Sequence, residues 1–241
     1  MPTVKFVANP SKGDGMPKSV QETVRTHLDH GRACLDKGKY DDAIANYDKA
    51  IALDPNLALV YTNRGVAYAR KGDVDRAIAD YTKAITLNPN DAIAYTNRGV
   101  AYDEKGEVDR AIADYTKAIA LNPKLAQAYY NRGNAYYSKG EVDRAIADYT
   151  KVIALNPNDA KAYYNRGNAY DDKGEVERAI ADYTKAIALD RKYTLAYTIR
   201  ALAYESNGEV DRAIADFSKV LEIDSSDENA KNNLKRLGIA P

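Results

Sequence analysis

His27, His30 and Cys34 are the only histidines and the only cysteine of this chain, and they fall at i, i+3 and i+7 of one short stretch. On a helix that spacing puts two imidazoles and a thiol on one face, and zinc accepts both ligand types. A structural zinc site needs four ligands, and no fourth lies at short spacing. Packing in an atypical end segment is the stronger reading. Nucleophilic catalysis has little material, because any Cys/His or Ser/His arrangement must draw on these same residues. The chain also holds no G-x-x-x-x-G-K-[ST], no G-x-G-x-x-G after a strand and no H-E-x-x-H. The expectation is a non-catalytic protein with no cofactor and no metal.

Charge narrows the partners. Lys plus Arg and Asp plus Glu number 35 each, so no net field concentrates nucleic acid or an anionic membrane. No apolar run approaches the ~18 residues of a membrane helix. The start, MPTVKFVANPSKGDGMPKS, lacks the apolar core of a secretory signal. With one cysteine there is no internal disulfide framework, and the expected setting is the cytoplasm. Twenty Tyr stand beside two Phe and no Trp, which makes the placement of tyrosine the most informative feature.

A repeat positions those tyrosines. Pro55, Pro89, Pro123 and Pro157 are 34 residues apart, as are Gly31, Gly65, Gly99, Gly133 and Gly167, and Gly38, Gly72, Gly106, Gly140, Gly174 and Gly208. With the first glycine series at repeat position 8, the repeats are 24–57, 58–91, 92–125, 126–159, 160–193 and 194–227. Each reads as two helices. Tyr129, Gly133 and Tyr136 share a face of the first, and Gly140 stops it. Val142, Ala145, Ile146, Tyr149, Val152 and Ile153 mark the stripe of the second, which ends before Pro157. The first helix should start near residue 19, where Ser19 and Glu22 have capping-box spacing, and residues 1–18 read as an extended leader. Residues 228–241 read as a capping helix and tail, with Ser225 and Glu228 as capping box, Ala230, Leu234 and Leu237 as stripe and Gly238 as stop.

An aromatic at 4, Gly at 8, Tyr at 11, Ala at 20, an aromatic at 24 and Pro at 32 together resemble the tetratricopeptide repeat. The resemblance covers 24–227. It implies an all-α, right-handed superhelical solenoid of antiparallel helix pairs, six repeats long with a C-terminal capping helix. It also implies a protein-protein interaction scaffold that binds a peptide or protein segment in its concave groove. Tyr replaces the family's Trp at position 4, and Arg replaces its Leu at position 7. The end repeats are atypical: the first carries His27, His30 and Cys34, the last Ile199, Ala201, Phe217 and Ser225.

Fifteen tyrosines occupy positions 4, 11 and 24 and read as core. The family's groove is lined mainly by positions 2, 5, 9, 12 and 13. There the chain places Gln127, Tyr130, Asn134, Tyr137, Lys161, Tyr164 and Asn168, a set of tyrosines flanked by amides that suits peptide recognition. The preceding two repeats carry Leu59, Thr62, Val66, Ile93, Thr96 and Val100 instead. Asp103, Glu104, Asp171, Asp172 and Glu205 form an acidic rim near the C-terminal ends of first helices, where the helix dipole disfavours them. That rim points to a partner with basic residues rather than nucleic acid. The carboxylate clamp of chaperone-binding relatives is completed in no register: Asn134 and Asn165 match, whereas Tyr130, Leu195 and Ile199 do not. A structural subunit that self-associates, or docks through its leader, ends or convex face, is the alternative.

Two structural expectations complete the sequence reading. Arg64, Arg98, Arg132, Arg166 and Arg200 at position 7 should meet Asp80, Asp114, Asp148, Asp182 and Asp216 at position 23. The position-8 glycines should mark close approach between helices, since glycine inside a helix otherwise costs ~1 kcal/mol relative to Ala.

Overall fold

The computed structural model describes residues 17–239. Among them are α1 (Lys18–Asp36), α2 (Tyr40–Leu53), α3 (Ala58–Lys71), α4 (Val74–Leu87), α5 (Ala92–Glu104), α6 (Val108–Leu121) and α7 (Ala126–Ser138). There follow α8 (Val142–Leu155), α9 (Ala160–Asp172), α10 (Val176–Leu189), α11 (Thr194–Ser206), α12 (Val210–Ile223) and α13 (Glu228–Arg236). No strand occurs among the described residues. The chain forms two compact units, Met1–Asn131 and Arg132–Pro241. In the first, α1 packs on α2, α3 on α4 and α5 on α6, with α2 against α3 and α4 against α5. In the second, α9 packs on α10 and α11 on α12, with α8 against α9, α10 against α11 and α12 against α13.

The glycines that end first helices take positive φ, as Gly72 does at 87°, a conformation that side chains with a Cβ avoid. Second-helix starts are capped where Asp is available, Asp73 accepting from the Arg76 amide. Both proposed serine caps are corrected. Helix α1 begins at Lys18 behind Pro17, whose fixed φ of −55° suits a helix entry, and Ser19 lies already inside the helix. The leader therefore loses its last two residues to this helix start, and residues 1–16 lie outside the described residues. At the other end Asp227, not Ser225, caps α13 by accepting from the Ala230 amide at 2.8 Å. Gly238 follows at φ 82°.

The position-8 glycines are tight, and their neighbour is an aromatic ring. A Cβ on Gly65, Gly99, Gly133 or Gly167 would stand 2.6–2.9 Å from the ring of Tyr81, Tyr115, Tyr149 or Tyr183. Each of those rings is in turn buried. In the last repeat Ala201 and Phe217 change together at the same two positions.

The position-7 arginines explain why Leu is not needed there. Each makes a two-pronged contact with its Asp at 2.7–2.9 Å, through Nε to Oδ2 and Nη2 to Oδ1. The third guanidinium nitrogen reaches the preceding repeat: Arg64 to Asp48, Arg98 to Thr82, Arg166 to Thr150 and Arg200 to Thr184. The guanidinium also lies between two rings, Arg166 being 5.7 Å from Tyr163 and 5.8 Å from Tyr170. The arginines four residues before each Asp do something else. Arg110 pairs with Glu107 and stacks 3.9 Å over Tyr102. First helices are thus held to second helices and to the repeat before by one side chain.

Candidate functional site

In the second unit the groove rows lie on the end of α7, on α9 and on α11. Tyr137 is half-buried, and its hydroxyl donates to Asp172 Oδ2 at 2.5 Å. Burial, and then that carboxylate, push the phenol up, so it stays a neutral donor. Asp171 is half-buried beside it. Burial first and the charge of Asp172 second raise its carboxyl. Neither Asp171 nor Asp172 has an ion pair to a cation among the described residues. The neighbouring carboxylates do: Asp182 has Arg166 and Asp216 has Arg200.

Glu205 corrects the rim. Arg236 of α13 grips both its oxygens, Nη2 lying 2.7 Å from Oε2, and holds its carboxyl below the usual range. A cation from the capping helix thus removes Glu205 from the free acidic set. In the first unit Asp103 and Glu104 are exposed. Partial desolvation raises both carboxyls, and the charge of Asp103 adds to the effect on Glu104.

The amides are placed differently from expectation. Asn134 Oδ1 accepts from the Tyr149 hydroxyl at 2.8 Å and from Asn165 Nδ2 at 3.1 Å. Asn168 Oδ1 accepts from the Tyr183 hydroxyl at 2.9 Å. Both carbonyls therefore serve the core tyrosines, because a buried phenol without a partner is costly. Tyr164 is also partly structural. Its ring lies 5.1 Å from Tyr193 and 6.0 Å from Tyr183, and with Ile199 it packs against Tyr170, Tyr183 and Ala203. Lys161 is exposed. Gln127 and Tyr130 belong to the first unit, both half-buried, and Gln127 Nε2 donates to Asn131 Oδ1 at 2.8 Å.

Sequence reasoning passed over α11. Leu195 and Leu202 are 59% and 39% exposed, with half-buried Ile199 between them on one face. Their counterparts in the second repeat, Leu59 and Val66, are 8% and 1% exposed. The spacing i, i+4, i+7 of Leu195, Ile199 and Leu202 carries that signal in the sequence, where Leu195 and Ile199 read only as mismatches to the clamp. Of the remaining candidates, His27 Nδ1 lies 3.4 Å from Asn46 Oδ1, and Cys34 packs on the core of the first unit. His30 is exposed.

Paired helices stacked through a repeated arginine clamp define a helical repeat scaffold, and the comparisons with known proteins say which. Models described as TPR repeat match residues 31–72, 101–140 and 133–173. Models described as tetratricopeptide repeat match 58–91, 160–193, 80–113 and 195–227. The chain belongs to the tetratricopeptide repeat family. No curated protein matches it. A crystal structure of MamA is 36% identical, with a TM-score of 0.65, and the match covers 67% of this chain and 94% of that one. YrrB, described as a TPR protein with an unusual peptide-binding site, is 22% identical with a TM-score of 0.68, covering 78% and 97%. Pseudomonas aeruginosa pilF is 16% identical with a TM-score of 0.78, covering 90% and 99%. The last two likenesses show the fold alone.

Proposed function

We propose that this chain is a non-catalytic protein-interaction scaffold whose second unit holds a segment of a partner protein against the first-helix face of α9 and α11. The observation that carries the reading is local. Tyr137 donates to Asp172, and Tyr137, Tyr164, Asp171 and Asp172 lie close enough to interact electrostatically, while neither acid has, among the described residues, the arginine partner that Asp182 and Asp216 have. Half-buried tyrosines combine apolar area with low entropy cost, which suits recognition. The acid pair favours basic residues in the partner, and zero net charge favours protein over nucleic acid. No described helix is long and apolar enough to cross a membrane. The proposed setting is the cytoplasm, where a lone cysteine is unremarkable.

Self-association through the ends is the weaker reading. The exposed faces of the terminal helices are polar, with Gln21, Arg25 and Asp29 on α1 and Asn229, Asn232 and Lys235 on α13. The test is affinity capture from the source cell with Tyr137→Ala and Tyr164→Thr, residues already found at the same repeat positions in Ala69 and Thr62. Loss of the captured protein supports the groove. Undiminished capture by the double variant sinks it.

A further inference from the structure

We infer that the occupant of this groove is an amphipathic α-helix of the partner, its apolar stripe seated on Leu195, Ile199 and Leu202 and its basic residues meeting Asp171 and Asp172. The inference rests on the proposed function and adds the shape and chemistry of the partner. Three observations carry it.

The apolar face of α11 is open. Leu195 and Leu202, two turns apart, keep 59% and 39% of their surface in water, whereas Leu59 and Val66 at the same repeat positions are buried. A stripe of that length, rising about 10 Å along the helix, matches two turns of a partner helix presenting its own i, i+4 and i+7 residues.

The neighbouring amide carbonyls are already engaged, so an extended strand would find fewer acceptors for its N–H groups. An extended segment leaves its backbone donors and acceptors to be satisfied by the groove. Here the side-chain carbonyls of Asn134 and Asn168 are committed to Tyr149, Asn165 and Tyr183, and the Tyr137 hydroxyl is committed to Asp172. A helix satisfies its own backbone and asks only for apolar and charged contacts, which is what this face offers.

Charge sets the polar face of the occupant. Glu205 of α11 is neutralised by Arg236, whereas Asp171 and Asp172 of α9 have no such cation. The intramolecular pair shows what the acid row accepts: a guanidinium held by both carboxylate oxygens. An arginine on the partner helix would supply it for α9.

The test uses the full chain and four synthetic peptides titrated by fluorescence anisotropy. One carries leucines at i, i+4 and i+7 on an alanine and arginine background. The second replaces its arginines by glutamates, the third scrambles the leucines around the helix, and the fourth has a central proline. The first peptide should bind at least tenfold more tightly than each of the others. Leu195→Ser/Leu202→Ser should weaken it by about tenfold, with the fold retained by circular dichroism. Asp171→Asn/Asp172→Asn should shrink its advantage over the glutamate peptide. Equal binding of the scrambled or proline peptide overturns the helical occupant, as does indifference to the serine pair. If the cellular partner is still lost on replacing Tyr137 and Tyr164 while the serine pair changes nothing, the groove stands and the helix falls. If neither set of replacements matters, both fall.

Discussion

Val66 and Val100 in the first unit occupy the repeat position that Asn134 and Asn168 occupy in the second. The consequences differ in kind. In the first unit the Nδ2 donors of Asn63, Asn97 and Asn131 are buried without a partner, and so is the Tyr47 hydroxyl. In the second, Asn165 Nδ2 finds Asn134, and the phenols of Tyr149 and Tyr183 find Asn134 and Asn168. An unpaired buried donor costs about 1–3 kcal/mol. Val66 and Val100 close the first groove with apolar atoms and offer no acceptor to Asn97 and Asn131, whereas for Tyr47 and Asn63 the residue at the same spacing is Arg32. One row of asparagines satisfies the interior of the second and leaves tyrosine, acid and leucine at its surface. The framework is common to both units; what differs at position 9 is whether the buried amide and phenol of the repeat find an acceptor.

The strongest check concerns what the units share. Arg98→Ala and Arg166→Ala each leave a buried carboxylate, Asp114 or Asp182, without its cation. Each should cost about 3–5 kcal/mol in chemical denaturation. A loss in one unit but not in the other breaks the claim of a common framework. Next in size is the exchange of the row that differs. Asn134→Val removes the acceptor of the Asn165 amide and of the Tyr149 hydroxyl, a loss of about 0.5–1.5 kcal/mol for each hydrogen bond. The reverse change, Val100→Asn, should return up to about 1 kcal/mol by giving Asn131 an acceptor. A destabilising Val100→Asn with a neutral Asn134→Val would invert the comparison.

Function should follow the receptive face. Tyr164→Ala should weaken partner binding by about 2 kcal/mol in calorimetric titration, with helical content by circular dichroism kept. Thr62→Ala, buried at the same position of the first unit, should leave affinity alone.

The smallest effect is in pH. The Asp171 carboxyl is raised by burial and by Asp172, so it takes up a proton above the ordinary carboxylate range. As pH falls through that window the groove loses negative charge, and affinity for a basic partner should drop while the contribution of Asp171 to stability improves, since the folded state holds its proton more tightly. Asp171→Asn should flatten the binding profile, by the roughly 0.2–1 kcal/mol of an exposed pair. A profile unchanged by that substitution removes Asp171 from recognition.

The fold was legible because its punctuation is local. Gly72, Gly106 and Gly140 stop helices wherever they stand, and the 34-residue spacing of Pro55, Pro89 and Pro123 marks each return. The arginine clamp was legible too, since Arg and Asp recur together and vanish together in the first repeat. The bonds of Asn134 are not legible because its partners are distant in sequence, Tyr149 fifteen residues on and Asn165 thirty-one. Pattern shows that such an amide recurs beside Tyr, not which way its carbonyl turns. The neutralisation of Glu205 is not legible in the repeat, because Arg236 belongs to the capping helix beyond it. The spacing of the Leu195–Leu202 stripe is legible, but its exposure is not, because apolar residues at the same two positions of the second repeat, Leu59 and Val66, are covered.

Hydrogen–deuterium exchange of the full chain with and without the captured partner tests the central claim most directly, because it reads both units in one experiment. The account predicts slowed exchange in α9 and α11 and at the end of α7 near Tyr137, with α3 and α5 unchanged. Protection confined to α3 and α5, or to second helices such as α8 and α10, would contradict it.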